Sequence, residues 1–294
     1  GGNKGNQLIQ AGGSLNSLSA TLTPFFVGML IGQLTPETTM QAVSPLLWVA
    51  MGVFAVSFVI ISFVSIPEPN LNKGGKKVKY SHSPWNFRHL VLGVIGIFFY
   101  VGIEVGIPGT LNFYLADQSE RGAELVGNAS VIAGSIVAIY WLLMLVGRFL
   151  STIISGAVST RAQIITVTSV GIVLVVAAIL TPKSCTMAVP AFIAENAQVP
   201  VSAILLVLCG LCTSVMWGGI FNLAVEGLGK YTAQASGIFM MMVVGGGVMP
   251  LIQNWIADMA GYMASYWLIV AMLAYLFFYG VSGSKNVNTD IPVD

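Results

Sequence analysis

Eight long apolar segments, separated by short polar stretches, dominate this sequence and limit what it can fold into. A helix needs about 20 mostly apolar residues to cross the hydrocarbon core of a bilayer, and each segment is long enough to do so. The segments lack the two-residue alternation of a membrane β-barrel and exceed the length of its strands. The predicted membrane-spanning helices are residues 15–33, 45–66, 90–115, 131–158, 164–180, 201–225, 232–257 and 262–283.

The scarcity of charge excludes a soluble protein. Charged residues make up 8% of the chain, against roughly 25% in an average soluble domain, and so few cannot cover a water-exposed surface. Soluble enzymes and nucleic-acid-binding proteins are thereby excluded. The chain also contains no P-loop and no HExxH motif. We expect an all-α integral membrane protein that is not an enzyme, with no catalytic residues, no metal site, no cofactor and no nucleic-acid partner.

The distribution of Lys and Arg predicts the orientation of the chain in the bilayer. With eight spans both ends lie on one side, and ten of the twelve basic residues fall on that side, leaving Arg121 and Lys183 on the other. Basic residues accumulate on the cytoplasmic side of membrane proteins. We therefore expect both ends on the cytoplasmic side of the membrane, with the lipid bilayer as a partner.

One polar, basic stretch divides the spans into two groups. Residues 67–89 contain Lys73, Lys76, Lys77 and Lys79 among Gly and Pro residues. The lysines are expected to fix the topology, and binding of lipid headgroups is the alternative. The sequence predicts a two-helix segment at 1–66, a cytoplasmic loop at 67–89, a six-helix bundle at 90–283 and a cytoplasmic tail at 284–294.

Glu104 is the sharpest candidate for function. It lies 16 residues after Arg88 and 13 before Asp117, so it is about 24 Å and about 20 Å from the two ends of its helix. We predict that it is the only ionisable side chain at such depth. A charge at the bilayer centre costs roughly 3 kcal/mol, so such a residue faces a cavity or a partner. A neutral Glu that bonds to a neighbouring helix is the alternative.

The helix that carries Glu104 is predicted to be broken near the middle of the membrane. Tyr100 lies four residues before Glu104 and shares its face. Pro108 removes the backbone hydrogen bond to residue 104, with Gly106 and Gly109 beside it. Broken helices at this depth mark binding sites in transporters, while an ordinary proline kink is the alternative.

Polar and aromatic side chains on several spans form a candidate substrate-binding set. Aromatic faces, amides and hydroxyls are the groups that bind sugars, although each residue taken singly is also explained by helix packing or by an interfacial position. The set comprises Asn16, Tyr100, Glu104, Asn112, Tyr140, Trp217 and Asn222, and Gln253 and Asn254 in the seventh span are further polar groups.

Residues 213–261 carry short motifs in a fixed order. An Ile-Phe pair at 220–221 precedes Leu-Gly at 228–229 and Ser236, and three glycines at 245–247 precede Pro250 and an Asp-x-x-Gly sequence at 258–261. This order resembles the tenth and eleventh spans of the fucose–proton symporter family, within the major facilitator superfamily. GGSLNSLSATLTPFFVG, FFYVGIEV and VGRF resemble the fifth, seventh and eighth spans, so the resemblance covers essentially the whole chain.

The resemblance implies that this chain is a fragment of a twelve-span protein. It would hold spans five to twelve, namely two helices of the first half and the complete six-helix second half. The absent first four helices of the same protein would be its partner. Residues implied to act in gating or packing are Pro108, Arg148, Gly245, Gly246, Gly247, Pro250 and Asp258.

The resemblance also bears on individual substrate-site positions. Asn16 matches a polar position of the fifth span, Glu104 falls where relatives have Gln or Glu, and Trp217 falls where the fucose transporter has a cavity Tyr. Gly218 departs from the family, which commonly has Pro there, and that departure leaves the particular sugar open.

The function implied is uptake of a sugar together with a proton by alternating access. The sugar would be a hexose or deoxyhexose such as fucose, glucose or galactose, and the proton would be the coupling ion. The alternatives are a transporter of the same superfamily for another small polar solute, and a non-transporting membrane receptor or channel.

Overall fold

The computed structural model describes residues 12, 15, 18, 19 and 22 and the ranges 40–64, 82–154, 157–189, 197–288 and 290–293. The chain divides into two compact units, residues 23–83 and residues 84–294 together with 1–22. The lysine cluster at 73–79, Asn16 and most of the predicted first span lie outside the described residues.

The smaller unit contains one described helix, α1 (Met40–Phe63). Its sequence is apolar on every side, and its large side chains are correspondingly exposed: Phe54 is 77% and Phe58 73% accessible. A helix that is hydrophobic all round suits lipid or a protein interior and not water. Helix α1 corresponds to the predicted span 45–66 and begins five residues earlier than predicted.

The larger unit is a helical bundle. The membrane-length helices α2, α3 and α4 come first, and a two-stranded antiparallel connection that pairs Met187 with Val199 follows them. The elements are α2 (Arg88–Ala116), α3 (Ala129–Ile154), α4 (Thr160–Leu180), β1 (Thr186–Ala188), β2 (Gln198–Pro200), α5 (Val201–Thr213), α6 (Met216–Val225), α7 (Thr232–Met241), α8 (Gly245–Ala260) and α9 (Tyr262–Phe278).

Helix α2 is the centre of this bundle. It packs against α3, α5, α6, α7, α8 and α9, while α4 packs against α5, α6 and α9. Apolar residues on several faces of α2, including Ile97, Ile103 and Leu111, are fully buried. Because α2 is enclosed on so many sides, most of its residues are buried against other helices of the bundle.

Seven helical segments in the described part of the chain are long and apolar enough to cross a membrane. They match the second to eighth predicted spans, and the spans 201–225 and 262–283 agree with the prediction at both ends. Outward-facing side chains such as Phe149, Ile153 and Trp255 are large, apolar and exposed, as expected for contact with lipid. The chain is an integral membrane protein.

The prediction of a broken helix at Pro108 is wrong. Helix α2 runs without interruption from Arg88 to Ala116 with Pro108 inside it. The interruptions lie elsewhere: Ser214 and Val215 separate α5 from α6, and a 3-10 turn at Met242–Val244 separates α7 from α8. A proline removes a single backbone donor, and the packing around α2 is sufficient to keep the helix continuous.

Candidate functional site

Glu104 forms an ion pair with Arg148 across the α2–α3 contact. Nη2 of Arg148 donates to Oε1 of Glu104 at 3.3 Å, and the two side chains are 5% and 12% exposed. The same nitrogen approaches Sδ of Met144 at 3.4 Å. The prediction that Glu104 is the only deep ionisable group is therefore wrong, because the long Arg148 side chain reaches inward from near the end of α3.

The direction of the two side chains explains this pairing. Side chains of a helix lean toward its N-terminus, so Glu104 leans toward the Arg88 end of α2. Helix α3 follows α2 through a short connection and runs back, which brings Arg148, near its end, to the same level. A buried charge that loses its partner is costly, so each member of the pair stabilises the other's charged form.

The carbonyl of Glu104 has an unusual partner. Pro108 has no N–H to donate to it, and the hydroxyl of Tyr140 on α3 lies 3.4 Å from this oxygen. The same hydroxyl lies 3.1 Å from Oγ1 of Thr213 on α5. Tyr140 is fully buried, so the predicted substrate-binding residue uses its hydroxyl within the bundle.

An aromatic cluster adjoins the ion pair. Tyr100 is fully buried one helical turn before Glu104, and its hydroxyl has no hydrogen-bond partner among the described residues. The rings of Tyr100 and Trp217 pack edge to face with their centroids 6.2 Å apart. The rings of Trp217 and Phe239 pack in the same way, also with centroids 6.2 Å apart. Trp217 is only partly buried, so part of its indole remains accessible beside Tyr100.

Helices α2 and α8 approach each other through glycines. A Cβ on Gly245 would collide with the main chain of Phe98, and one on Gly246 would lie 2.7 Å from Val101. A Cβ on Gly102 would in turn lie 2.5 Å from Met249. Small residues permit such close approach of membrane helices, and Gly247 is the exception because it faces open space.

The remaining predicted site residues are dispersed. Asn112 is exposed and Asn222 is partly buried. Pro250 lies inside α8. Asp258 is exposed near the end of α8, where its carbonyl accepts a hydrogen bond from Nη2 of Arg121 at 2.9 Å. The structure therefore brings together Glu104, Arg148, Tyr100, Tyr140 and Trp217, and leaves Asn112 and Asp258 apart from them.

Sequence reasoning missed one polar residue of this region, Thr213. Thr213 is buried and contacts Tyr140, and no pattern in the sequence marked it for this contact. Gln253, noted from the sequence only as a further polar group, is fully buried against Gly106 and its amide has no hydrogen-bond partner within the described residues. Among those residues, no group of three or more His, Cys, Asp or Glu side chains could hold a metal ion.

The connection after α2 is held by charged side chains. Nη2 of Arg121 donates to the carbonyl of Ala257 at 2.7 Å, which satisfies the end of α8. The backbone N–H of Ser119 donates to Oδ1 of Asp117 at 2.8 Å and the hydroxyl of Tyr262 donates to Oδ2 at 3.2 Å. These bonds, chiefly those from Ser119, lower the pKa of Asp117.

Comparison with known proteins places this geometry in context. No family model matches the chain. A glucose/galactose transporter of Brucella abortus is 31% identical over 278 residues, which are 93% of this chain and 62% of that protein. A putative glucose/galactose transporter of Helicobacter pylori is 27% identical over 95% of this chain and 65% of that protein. The chain thus spans less than two thirds of the length of these relatives.

The fucose symporter of Escherichia coli is similar in both sequence and structure. The L-fucose-proton symporter is 25% identical over 65% of this chain and 39% of that protein. A crystal structure of that symporter, FucP, superposes with a TM-score of 0.71 at 17% identity and covers 96% of this chain and 70% of that one.

The fold is similar to that of FucP, which one of its crystal structures describes as a major facilitator superfamily transporter. In sequence the chain is related to the glucose/galactose transporters and the L-fucose-proton symporter, which confirms the resemblance inferred from its sequence. Its relatives are membrane transporters and not enzymes.

Proposed function

We propose that this chain is part of a secondary active transporter that takes up a sugar together with a proton by alternating access. The observation that carries the proposal is its 31% identity, over 93% of its length, to a protein named glucose/galactose transporter. A second relative is named as a proton symporter. The sugar is a hexose or deoxyhexose.

The arrangement around Glu104 supports this function. A carboxylate and a guanidinium at 3.3 Å, together with the partly accessible ring of Trp217 beside Tyr100, offer charged hydrogen-bonding groups and an aromatic face. Sugars need both kinds of contact. Ionisable groups within a membrane-spanning bundle commonly mark substrate or ion pathways.

We assign Glu104 a part in proton coupling as well as in binding. A carboxylate can take up a proton, and its charge is then no longer available to Arg148. The guanidinium would then bind Glu104 less strongly and sugar hydroxyls more strongly, so protonation and sugar binding would favour the same state. Tyr100 lies against Glu104 from its own helix, and Tyr140 is the further ionisable residue near Glu104 from α3.

The complete transporter would have twelve spans. Four helices before this chain would pack with residues 1–66, residues 67–89 would form the cytoplasmic loop between halves, and 90–283 would be the second half. The proposed location is the bacterial inner membrane, with both ends of the chain and the tail at 284–294 in the cytoplasm. The distribution of basic residues supports this orientation.

The test is sugar uptake by the full-length protein in proteoliposomes with an imposed proton gradient. We expect glucose, galactose or fucose to accumulate, and we expect accumulation to stop when the gradient is collapsed. Saturable uptake of another polar solute but not of sugars would redirect the substrate assignment. Currents that do not saturate with solute concentration would instead indicate a channel and contradict the proposal.

A further inference from the structure

We propose that Tyr140 is a positioning residue for Glu104, because its hydroxyl replaces the backbone hydrogen bond that Pro108 cannot make. The importance of Glu104 itself rests on the proposed function, but the positioning is a claim about the structure alone. In a regular helix the N–H of residue 108 would donate to the carbonyl of residue 104. Proline has no N–H, so this carbonyl needs another donor.

Tyr140 is the side chain within reach of that carbonyl. Its hydroxyl lies 3.4 Å from the oxygen, and its ring is fully buried. The backbone carbonyl and ring of Tyr140 lie against Gly210, where a Cβ would collide with the carbonyl oxygen and lie 3.3 Å from the ring. Tyr140 is therefore held between α2 and α5, so that its hydroxyl stays beside the turn that carries Glu104.

The number of hydroxyl protons on Tyr140 and Thr213 limits which hydrogen bonds these two residues can make at the same time. Tyr140 has one proton to donate, and so has Thr213. When Tyr140 donates to Glu104, Thr213 donates to Tyr140 across 3.1 Å. When Thr213 instead donates to the carbonyls of Cys209 or Gly210, both at 3.2 Å, Tyr140 is free to donate to Thr213. The first arrangement satisfies the carbonyl of Glu104.

Helix α3 thus contacts Glu104 at two points, through Tyr140 and through Arg148. Carbonyls of α2 point toward its Ala116 end, whereas its side chains lean toward its Arg88 end. Tyr140 lies eight residues before Arg148, about 12 Å along α3, and on the same face of the helix. Helix α3 therefore contacts the main chain of Glu104 through Tyr140 and its carboxylate through Arg148.

The decisive experiment is a double-mutant cycle with Tyr140→Phe and Pro108→Ala in the full-length protein. Pro108→Ala restores an N–H at the correct position, so it should make the Tyr140 hydroxyl dispensable. The first readout is the rate at which a hydrophobic carbodiimide labels Glu104, measured by peptide mass spectrometry. This readout does not depend on transport, so it tests the positioning even if the protein carries no sugar.

We expect Tyr140→Phe to speed labelling by about three- to tenfold, the range that loss of one hydrogen bond produces. Pro108→Ala alone should label like the wild type, and the double variant should return close to the wild-type rate. Sugar counterflow is the second readout and should follow the same pattern. An equal effect of Tyr140→Phe in both backgrounds would overturn the proposal, because it would reduce Tyr140 to a packing residue.

Tyr266→Phe is the matched control. Tyr266 is equally buried, and its hydroxyl donates at 2.9 Å to the carbonyl of Ile107 on the same helix. That carbonyl is within reach of the N–H of residue 111 in the helix, so Pro108→Ala should not alter the effect of Tyr266→Phe. Rescue of both tyrosine variants by Pro108→Ala would indicate a general change in α2 and would refute the specific role.

Thr213→Val provides an arm that leaves the proline unchanged. It removes the alternative partner of Tyr140 and leaves its hydroxyl with the carbonyl of Glu104. We expect labelling no faster than in the wild type. Labelling as fast as in Tyr140→Phe would assign the effect to the α5 contact and would contradict the proposal, even if Pro108→Ala proves too unstable to purify.

Discussion

Arg148 donates to Glu104 from a neighbouring helix, so the carboxylate inside α2 and the guanidinium near the end of α3 lie 3.3 Å apart in an enclosed part of the bundle. Each of these two buried charges is stabilised by the other. Removing one partner of a buried pair costs about 3–5 kcal/mol, whereas replacing both is often nearly neutral.

Glu104→Gln should therefore lower the free energy of unfolding by about 3 kcal/mol or somewhat less, because Glu104 retains slight exposure. Glu104→Gln combined with Arg148→Gln should recover most of that loss. Thermal unfolding of the full-length protein in detergent measures both. If the double variant loses as much stability as Glu104→Gln and Arg148→Gln lose together when each is made alone, the side chains do not interact.

The same substitution should separate coupling from binding. Glu104→Gln keeps the shape and hydrogen-bonding capacity but cannot be protonated, so we expect sugar exchange to persist and gradient-driven accumulation to fail. Glu104→Ala removes both properties and should also weaken sugar binding by about 1–3 kcal/mol. Counterflow and uptake in proteoliposomes test these outcomes.

Glu120→Gln is the control for that experiment, since Glu120 is exposed outside the spans and the chemical change is identical. It should behave like the wild type in both assays. Wild-type transport by Glu104→Ala would leave Glu104 only a structural role.

Two glycines of α8 that lie two residues apart, Gly245 and Gly247, should respond differently to the same substitution. Gly245→Ala places a methyl group into the main chain of Phe98 and should cost about 1–3 kcal/mol by overpacking. Gly247→Ala faces open space and should be neutral or stabilise the helix by up to about 1 kcal/mol. Equal unfolding temperatures for the two variants would show that the α2–α8 approach is looser than the structure has it.

Asp117 should make stability depend on pH in the acid range. Its pKa is lowered in the folded state, chiefly by the hydrogen bonds from Ser119, so its contribution is complete above the unfolded pKa of about 4. The contribution is lost as the pH falls through the folded pKa. Asp117→Asn should therefore be less stable than wild type at pH 6, and the difference should shrink below about pH 4. A constant difference across this range would exclude the carboxylate as its source.

Sequence reasoning captured the second to eighth spans because a membrane helix is defined by the length of its apolar run, which is a local property. The predicted span 262–283 matches the structure at both ends for this reason. The pairing of Glu104 was missed because periodicity gives the face of a residue but not the neighbouring helix that it meets. Arg148, 44 residues away, resembled a topological charge at a helix end.

The effect of Pro108 was only half predictable. Its missing N–H follows from its chemistry, and so does the unsatisfied carbonyl of Glu104. The donor that compensates, Tyr140, comes from another helix 36 residues away. Nothing local indicates whether a neighbour will supply such a bond or whether the helix will break, so the prediction of a break was the simpler choice and the wrong one.

Arg121 donates hydrogen bonds to the backbone carbonyls of Ala257 and Asp258 at the end of α8. Every amino acid carries a backbone carbonyl, so these acceptors do not depend on the side chain. Evolutionary drift in the side chains at these two positions leaves the acceptors in place. In an alignment of related sequences, we then expect an arginine at position 121 and no second position whose residue type covaries with it. Covariation analysis would therefore overlook this contact, which links the connection after α2 to the end of α8, far apart in the sequence.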